Sequence, residues 1–168
     1  MNWIIFRDCE VTKMVTVASN EQGMTITLVV NGEPVPQGRP RFSSHGGFVK
    51  AFDPKKSVDY KNLIKAYTKD VYANMPSFKP FDDAISINVN VFRNIPKSFS
   101  KKAREAALAA LIRPTTRPDG DNYLKGVLDA LNGILWTDDA RIVDMSCHKY
   151  YSEQPRLEVT ICSHSKAG

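Results

Sequence analysis

Residues 119–144 read DGDNYLKGVLDALNGILWTDDARIVD, and they contain the clearest helix signal in the chain. Apolar residues recur there at the spacing of one buried helix face: Leu124, Val127, Leu128 and Leu131. This spacing predicts a helix over residues 121–131, and the Asn132-Gly133 pair is a good helix stop. After a turn at residues 137–140, a strand is predicted over residues 142–151.

Further helices and strands are predicted on both sides of this stretch. Two helices are expected, over residues 55–73 after an Asp-Pro start and over residues 101–111 after a Ser cap. Clustered β-branched residues and alternating apolar residues predict strands over residues 25–30, 48–52, 84–92 and 156–162. The last of these is expected to form a hairpin with residues 142–151. The prediction is an α+β protein, a single domain with a mixed β-sheet of about five strands and three helices.

The length of 168 residues, with 42% hydrophobic and 24% charged residues, is typical of one globular domain. The domain is expected to span residues 24–163, between an N-terminal extension of residues 1–23 and a loose tail of residues 164–168. The extension lacks clean periodicity, so it is flexible, supplies an edge strand, or reflects a non-native start ahead of Met24. No run approaches the roughly 18 apolar residues of a membrane span, and three cysteines do not suggest a disulfide framework. These features predict a cytoplasmic protein.

Charge is divided unevenly along the chain, although the whole chain has a modest net charge of +5. Residues 93–118 carry seven bases and one acid, whereas residues 119–144 carry six acids and two bases. One interpretation is two solvated faces of opposite sign, which many domains have. The other is a phosphate-binding surface beside a carboxylate metal site, a combination that nucleic-acid enzymes need.

Four aspartates and one lysine are the candidate catalytic residues. Asp119 and Asp121 stand two residues apart in an extended approach to the helix, so their carboxylates point to the same side. Lys125 follows Asp121 by four residues and lies on the same helical face. Asp138 and Asp139 come near this point only if the chain doubles back. Carboxylates that meet there repel one another unless a divalent cation joins them, and oxygen-only ligands favour Mg²⁺ or Mn²⁺.

Such a cluster has the chemistry for cutting a phosphodiester, because a water held by the cation becomes the nucleophile and Lys125 holds the scissile phosphate. The same residues have ordinary alternatives. Asp121 is also a typical helix cap, and Asp121, Lys125 and Asp129 have the spacing of surface ion pairs. Asp138 and Asp139 are also common turn residues. Spacing alone leaves these alternatives open.

Exposed basic residues are the candidate DNA contacts. In the loop over residues 37–42, Arg39 and Arg41 flank a proline that holds them apart. A merely solubilising loop fits this pattern equally well. The other candidates lie at the start of the second predicted helix and in the loop after it: Lys101, Lys102, Arg113 and Arg117.

With these residues identified, the chain resembles the RusA family of Holliday junction resolvases over roughly residues 24–163. The resemblance rests on Asp119-x-Asp121-Asn122-x-x-Lys125, Asp129-Ala130-Leu131-Asn132-Gly133, Trp136, Asp138-Asp139 and Ile142-Val143-Asp144. It extends to the segment over residues 32–42 and to residues 156–159. The Asp-x-Asp-Asn-x-x-Lys motif together with the Asp-Asp pair is specific, whereas either part alone is weak. Two features depart from the family: Gly120 stands where relatives often carry a larger residue, and residues 1–23 have no recognisable counterpart.

The resemblance implies a RusA-like fold and a homodimer that binds four-way DNA junctions by shape and cuts two strands symmetrically, in DNA recombination and repair. It implies a requirement for Mg²⁺, for which Mn²⁺ substitutes, and an origin common in phages and prophages. The family's metal ligands map onto Asp119, Asp121 and Asp139, its essential lysine onto Lys125, and a supporting position onto Asp138. Two alternatives stay open: a non-catalytic module that binds branched DNA, and a metal nuclease for flaps or forks.

Overall fold

The computed structural model describes residues 2–7, 14–20, 23–45 and 48–164. Within these ranges the chain forms eight strands: β1 (Asn2–Arg7), β2 (Met14–Asn20), β3 (Gly23–Asn31), β4 (Arg41–His45), β5 (Phe48–Phe52), β6 (Ile85–Asn94), β7 (Ile142–Ser152) and β8 (Arg156–Ser163). The helices are α1 (Lys55–Asn74), α2 (Lys101–Leu108) and α3 (Gly120–Leu131). None of the described helices is long and apolar enough to cross a membrane.

Six strands form one mixed sheet in the order β1-β2-β3-β8-β6-β7, in which only the β6–β7 pair is parallel. The predicted α+β class, the mixed sheet and the three helices are confirmed. The membership of the sheet differs from the expectation, because β5 pairs with β4 in a separate two-stranded ribbon. In its place, two strands of the N-terminal extension join the sheet. Val15 and Val17 of β2 are buried, so this segment contributes to the hydrophobic core.

The hairpin predicted between the last two strands is wrong. β6 lies between them, parallel to β7 and antiparallel to β8. Ile85, Ile87, Val89 and Val91 of β6 are all at most 2% exposed, which a strand achieves most readily with a neighbour on each side. The local pattern predicted a half-buried strand and carried no information about which strands would flank it.

The core lies between one face of the sheet and the helices α1 and α3. Its largest fully buried side chains come from both layers and include Ile26, Leu28, Tyr67, Leu131 and Trp136. The other sheet face is polar. Hydroxyls of Thr27 and Thr160 are 3.3 Å apart across β3 and β8, and Asn88 donates a hydrogen bond to Ser146 across β6 and β7. The domain therefore has two layers, and α3, which carries Asp121 and Lys125, packs on the inner face of the sheet.

Candidate functional site

The N-terminus of α3 presents two carboxylates. Asp119 is the N-cap residue, but its side chain makes no capping hydrogen bond, and Asp121 lies in the first turn. Both are exposed, and neither forms a hydrogen bond or ion pair with any residue in the described part of the chain. The alternative in which Asp121 is only a helix cap is not observed. The two carboxylates are available to a cation, and the N-terminal end of the helix dipole favours their negative charge.

Gly120, between the two aspartates, is not required by the packing. A Cβ at this position would lie 3.5 Å from the Sγ of Cys147 on β7, which is ordinary van der Waals contact. Burial raises the pKa of the Cys147 thiol, and the nearby charge of Asp121 adds to that effect against the opposing effect of Lys149. The thiol is therefore neutral near pH 7 and serves as packing beneath the carboxylates.

Lys125 lies one turn after Asp121 and is exposed. Among the described residues it pairs with neither Asp121 nor Asp129, so the surface ion-pair ladder considered above does not form. Asp129 instead lies 3.7 Å from the Nζ of Lys61. Lys125 is therefore a cation without a direct carboxylate partner in the described structure, as a residue that binds a phosphate needs to be.

Asp53, at the start of α1, belongs to the surroundings of Lys125. A 2.6 Å hydrogen bond from Lys61 lowers the pKa of Asp53 most strongly. A hydrogen bond from Gln37 and the charge of Lys125 lower it further, against the opposing effect of burial. Asp53 thus joins the basic loop to α1. The sequence indicated Asp53 only as the helix cap of the Asp-Pro start, but the N-cap residue of α1 is Pro54 and no side chain caps the helix. The hydrogen bond between Gln37 and Asp53 was not predicted, because it depends on tertiary packing.

The Asp138-Asp139 pair lies in the turn before β7. Asp138 accepts a 2.7 Å hydrogen bond from the backbone N–H of Ala140 and caps a short 3₁₀ turn, so the turn role considered for it is observed. Asp139 accepts a 2.8 Å hydrogen bond from the indole Nε1 of Trp136, which is completely buried. The Asp139 residue is exposed despite this contact.

Asp139 and Asp119 lie at opposite ends of α3. Trp136, the partner of Asp139, forms a β-bridge with Asn132, the C-cap residue of the helix. A helix of 12 residues is about 18 Å long. One chain therefore places Asp119 and Asp121 at the N-terminal end of α3 and Asp139 at the other end. Within residues 2–7, 14–20, 23–45 and 48–164, no group of three or more His, Cys, Asp and Glu side chains is placed to hold a metal ion.

The basic loop lies against the first turn of α3. The backbone N–H of Gln37 donates a 2.9 Å hydrogen bond to the carbonyl of Asn122. Next to this contact an open cavity of about 250 Å³ is lined by Pro36, Gln37, Arg39, Arg117, Pro118, Asp119 and Asn122. Two of the predicted DNA-binding arginines, Arg39 and Arg117, therefore border the same cavity as Asp119.

The loop before α3 is held to β7 by basic side chains. Arg113 donates a 2.6 Å hydrogen bond to the carbonyl of Lys149, and its guanidinium lies 3.9 Å from the ring centre of Tyr150. Lys149 in turn donates to the carbonyls of Thr116 and Pro118. Arg113 thus has a structural role besides its predicted one. Lys101 and Lys102, at the start of α2, and Arg41, at the start of β4, are exposed and lie away from the cavity lining.

The positive charge of residues 93–118 and the negative charge of residues 119–144 are separated along β7. The loop over residues 113–118 contacts residues 149–150 near the end of this strand, whereas Asp138 and Asp139 immediately precede its start. At the acidic end, Arg141 forms a 2.8 Å ion pair with Asp82. The first turn of α3, with Asp119 and Asp121, lies beside the other basic loop, over residues 37–42.

Two free carboxylates and an unpaired lysine at the start of α3, next to an open cavity that Asp119, Arg39 and Arg117 line, are typical of a metal-dependent nuclease. Residues 31–162 match the family model described as Endodeoxyribonuclease RusA, and the chain belongs to this family. It is 45% identical over 138 residues to the Bacillus subtilis (strain 168) protein titled "Uncharacterized protein YqaN", a match that covers 81% of this chain and 94% of that protein. Membership of the family supports nuclease activity on branched DNA, and RusA-type nucleases generally depend on a divalent metal.

Proposed function

We propose that this protein is a Mg²⁺-dependent endodeoxyribonuclease that resolves four-way DNA junctions by paired, symmetric hydrolysis of two phosphodiesters during recombination and repair. The observation that carries the proposal is the first turn of α3. Asp119 and Asp121 are exposed and unpaired there. Asp121 lies one helical turn before Lys125, and Asp119 lines the same cavity as Arg39. Family membership supports the same reaction class.

The donor set of the site suits Mg²⁺. Asp119 and Asp121 supply carboxylate oxygens only, and Mg²⁺ binds few carboxylates while keeping several waters. When bound, the cation lowers the pKa of a water and polarises the phosphoryl oxygen. The chain's own residues supply the rest: Lys125 neutralises the scissile phosphate, and Arg39 and Arg117 hold the neighbouring phosphates in the cavity.

A homodimer gives Asp139 a role in this site. With a two-fold axis perpendicular to α3, two copies of the helix run antiparallel, so the N-terminus of each lies beside the C-terminal end of the other. Asp139 of one copy then lies near Asp119 and Asp121 of the other copy. In the complete site, the indole of Trp136 orients the carboxylate of Asp139. Two such sites related by the axis match two symmetric cuts.

Cleavage of a labelled four-way junction with Mg²⁺ tests the proposal, with linear duplex and an EDTA reaction as controls. We expect paired, symmetric nicks on the junction alone. Equal cutting of flaps or forks would contradict the specificity for four-way junctions. The protein would then be a nuclease for branched DNA in general. Cutting of linear duplex at the same rate would contradict the structure-specific activity.

A non-catalytic module that binds branched DNA is the second candidate. It is favoured by one observation, that the described residues of a single chain do not bring three carboxylates together. Calorimetry with Mn²⁺ separates the two candidates. The nuclease proposal predicts binding that is lost in Asp119→Asn, whereas tight junction binding without cation binding or cutting would support the module.

A further inference from the structure

The ribbon formed by β4 and β5 exposes large apolar side chains. Phe42 is 70% exposed, Phe48 83%, Val49 70% and Phe52 46%. The ribbon belongs to a separate sheet from the main one. Exposed aromatic side chains in this number are unusual on the surface of a folded domain, and such patches mark sites of interaction.

Both faces of the ribbon are exposed. Arg41 is the register partner of Phe52, and Phe42 is the partner of Ala51. Since successive strand residues alternate between faces, Phe52, Phe48 and Arg41 share one face while Phe42 and Val49 share the other. A ribbon that packed against the body of the protein would bury one of these faces. Here large side chains on both faces stay between 46% and 83% exposed in the part of the chain that the structure describes.

The charge of the ribbon indicates an anionic partner. Residues 34–52 contain Arg39, Arg41 and Lys50 and no aspartate or glutamate. A second copy of the chain carries a net charge of +5 and is a poor electrostatic match for this segment. The sugar-phosphate backbone of DNA is a good match.

The ribbon leaves the body of the protein beside the candidate nuclease site. Arg39, two residues before β4, lines the cavity that Asp119 also lines. Asp53, directly after β5, accepts hydrogen bonds from Gln37 and Lys61. Both ends of the ribbon are thus fixed to the body next to the site, while its faces stay open.

We propose that the ribbon is a base-stacking arm for branched DNA: Phe42, Phe48 and Phe52 stack on bases that are unpaired or unstacked at the branch point, and Arg41 contacts an adjacent phosphate. This inference rests on the proposed function. It identifies the exposed base faces at the branch point as the feature of the substrate that the protein recognises. An aromatic ring stacks on any base, but it needs a base face that an intact duplex does not offer. The arm therefore favours branched over linear DNA without reading sequence.

Measuring DNA binding by the full chain in EDTA tests the arm, because EDTA prevents the metal-dependent cleavage. The probes are a four-way junction with 2-aminopurine at the branch point, the same junction with 2-aminopurine mid-arm, and a linear duplex. We expect Phe48→Ala and Phe42→Ala each to weaken junction binding about 5- to 100-fold and to leave duplex binding within about twofold. The fluorescence change of branch-point 2-aminopurine on binding should shrink in parallel, whereas the mid-arm probe should not respond. Phe48→Trp should retain both signals.

Leu111→Ala is the matched control, because Leu111 is 80% exposed and lies outside the ribbon. Unchanged junction binding in both phenylalanine variants would overturn the arm, and so would equal losses on junction and duplex. Conversion of a wild-type dimer into monomers by these variants, measured by sedimentation, would assign the ribbon to a second copy instead. If the wild type cuts junctions but the variants bind normally, only the arm fails. If the variants lose junction binding but the wild type never cuts, only the nuclease proposal fails.

Discussion

The indole Nε1 of Trp136 donates a 2.8 Å hydrogen bond to the Oδ1 of Asp139. Because Trp136 is completely buried, this contact ties the Asp139 carboxylate to the hydrophobic core beyond the C-terminal end of α3. Asp119 and Asp121 lie at the other end of the same helix. The separation explains why the described residues of one chain do not bring three carboxylates together, and it underlies the proposal that two copies are needed.

Asp121→Asn should abolish junction cleavage and preserve junction binding. The carboxylate forms no hydrogen bond or ion pair among the described residues, so its loss should leave the fold intact while removing a cation ligand. We expect single-turnover cleavage to fall about a hundredfold or more, with gel-shift affinity within about twofold. Asp129→Asn, which removes only a 3.7 Å ion pair with Lys61, is the matched control. Loss of binding together with a lower melting temperature would assign Asp121 a structural role.

Arg39→Ala should weaken DNA binding and reduce its salt dependence. Removing one phosphate contact lowers the slope of log K against log salt by about one, and the loss should be uniform across DNA sequences. Binding measured at several salt concentrations checks this. Lys79→Ala is the control, because Lys79 is exposed and follows the C-terminal end of α1. An unchanged slope in Arg39→Ala would remove the basic loop from the interface.

Trp136→Phe should raise the Mg²⁺ requirement for cleavage. The substitution keeps an aromatic ring in the core but removes the donor that orients Asp139, so the concentration for half-maximal cleavage should rise several-fold. Ile64→Val, a core change in α1 that costs about 0.5–1.5 kcal/mol, controls for loss of stability alone. A Mg²⁺ titration that coincides with that of Ile64→Val would show that the indole does not act through Asp139.

Asp53→Asn should destabilise the protein more at pH 7 than at low pH. Hydrogen bonding from Lys61 lowers the pKa of Asp53 below its usual value of 3.8. Its contribution to stability is therefore fully present above that value and is lost as the pH falls through the lowered pKa of the folded state. We expect the melting temperature to fall by about 2–4 °C at pH 7 and by less at pH 3. Asp59→Asn, an exposed change on α1, is the control, and an equal fall at both pH values would contradict the ion-pair account.

The local elements were predictable from the sequence because their signals are local. The periodicity of α3, the Ser100 cap of α2 and the alternation in β6 each lie within one short window. The order of strands was not predictable, since residues 156–163 pair with β6 and β3 rather than with their chain neighbour β7. The position of residues 14–20 in the sheet was not predictable either, because it depends on pairing with β3.

The candidate site was predictable in its residue types and only partly in its geometry. Asp119 is the N-cap residue of α3 and Asp121 lies in its first turn, so both carboxylates are at the same end of the helix. The position of Asp139 depends on how the chain returns from α3, and the return through Trp136 leaves it at the far end of the helix. The hydrogen bond from Gln37 to Asp53 links residues 16 positions apart through tertiary packing, and no sequence motif marks it.

The most direct test of the two-copy nuclease site is complementation between inactive subunits. Asp121→Asn and Asp139→Asn chains carrying different tags are co-expressed, and the mixed dimer is purified through both tags. We predict that each variant alone is inactive on a four-way junction with Mg²⁺. The mixed dimer should nick one strand, because one of its two sites then combines an intact Asp121 with an intact Asp139 from the other chain. A mixed dimer as inactive as its parents, when the wild type cuts, would contradict a site shared between two copies.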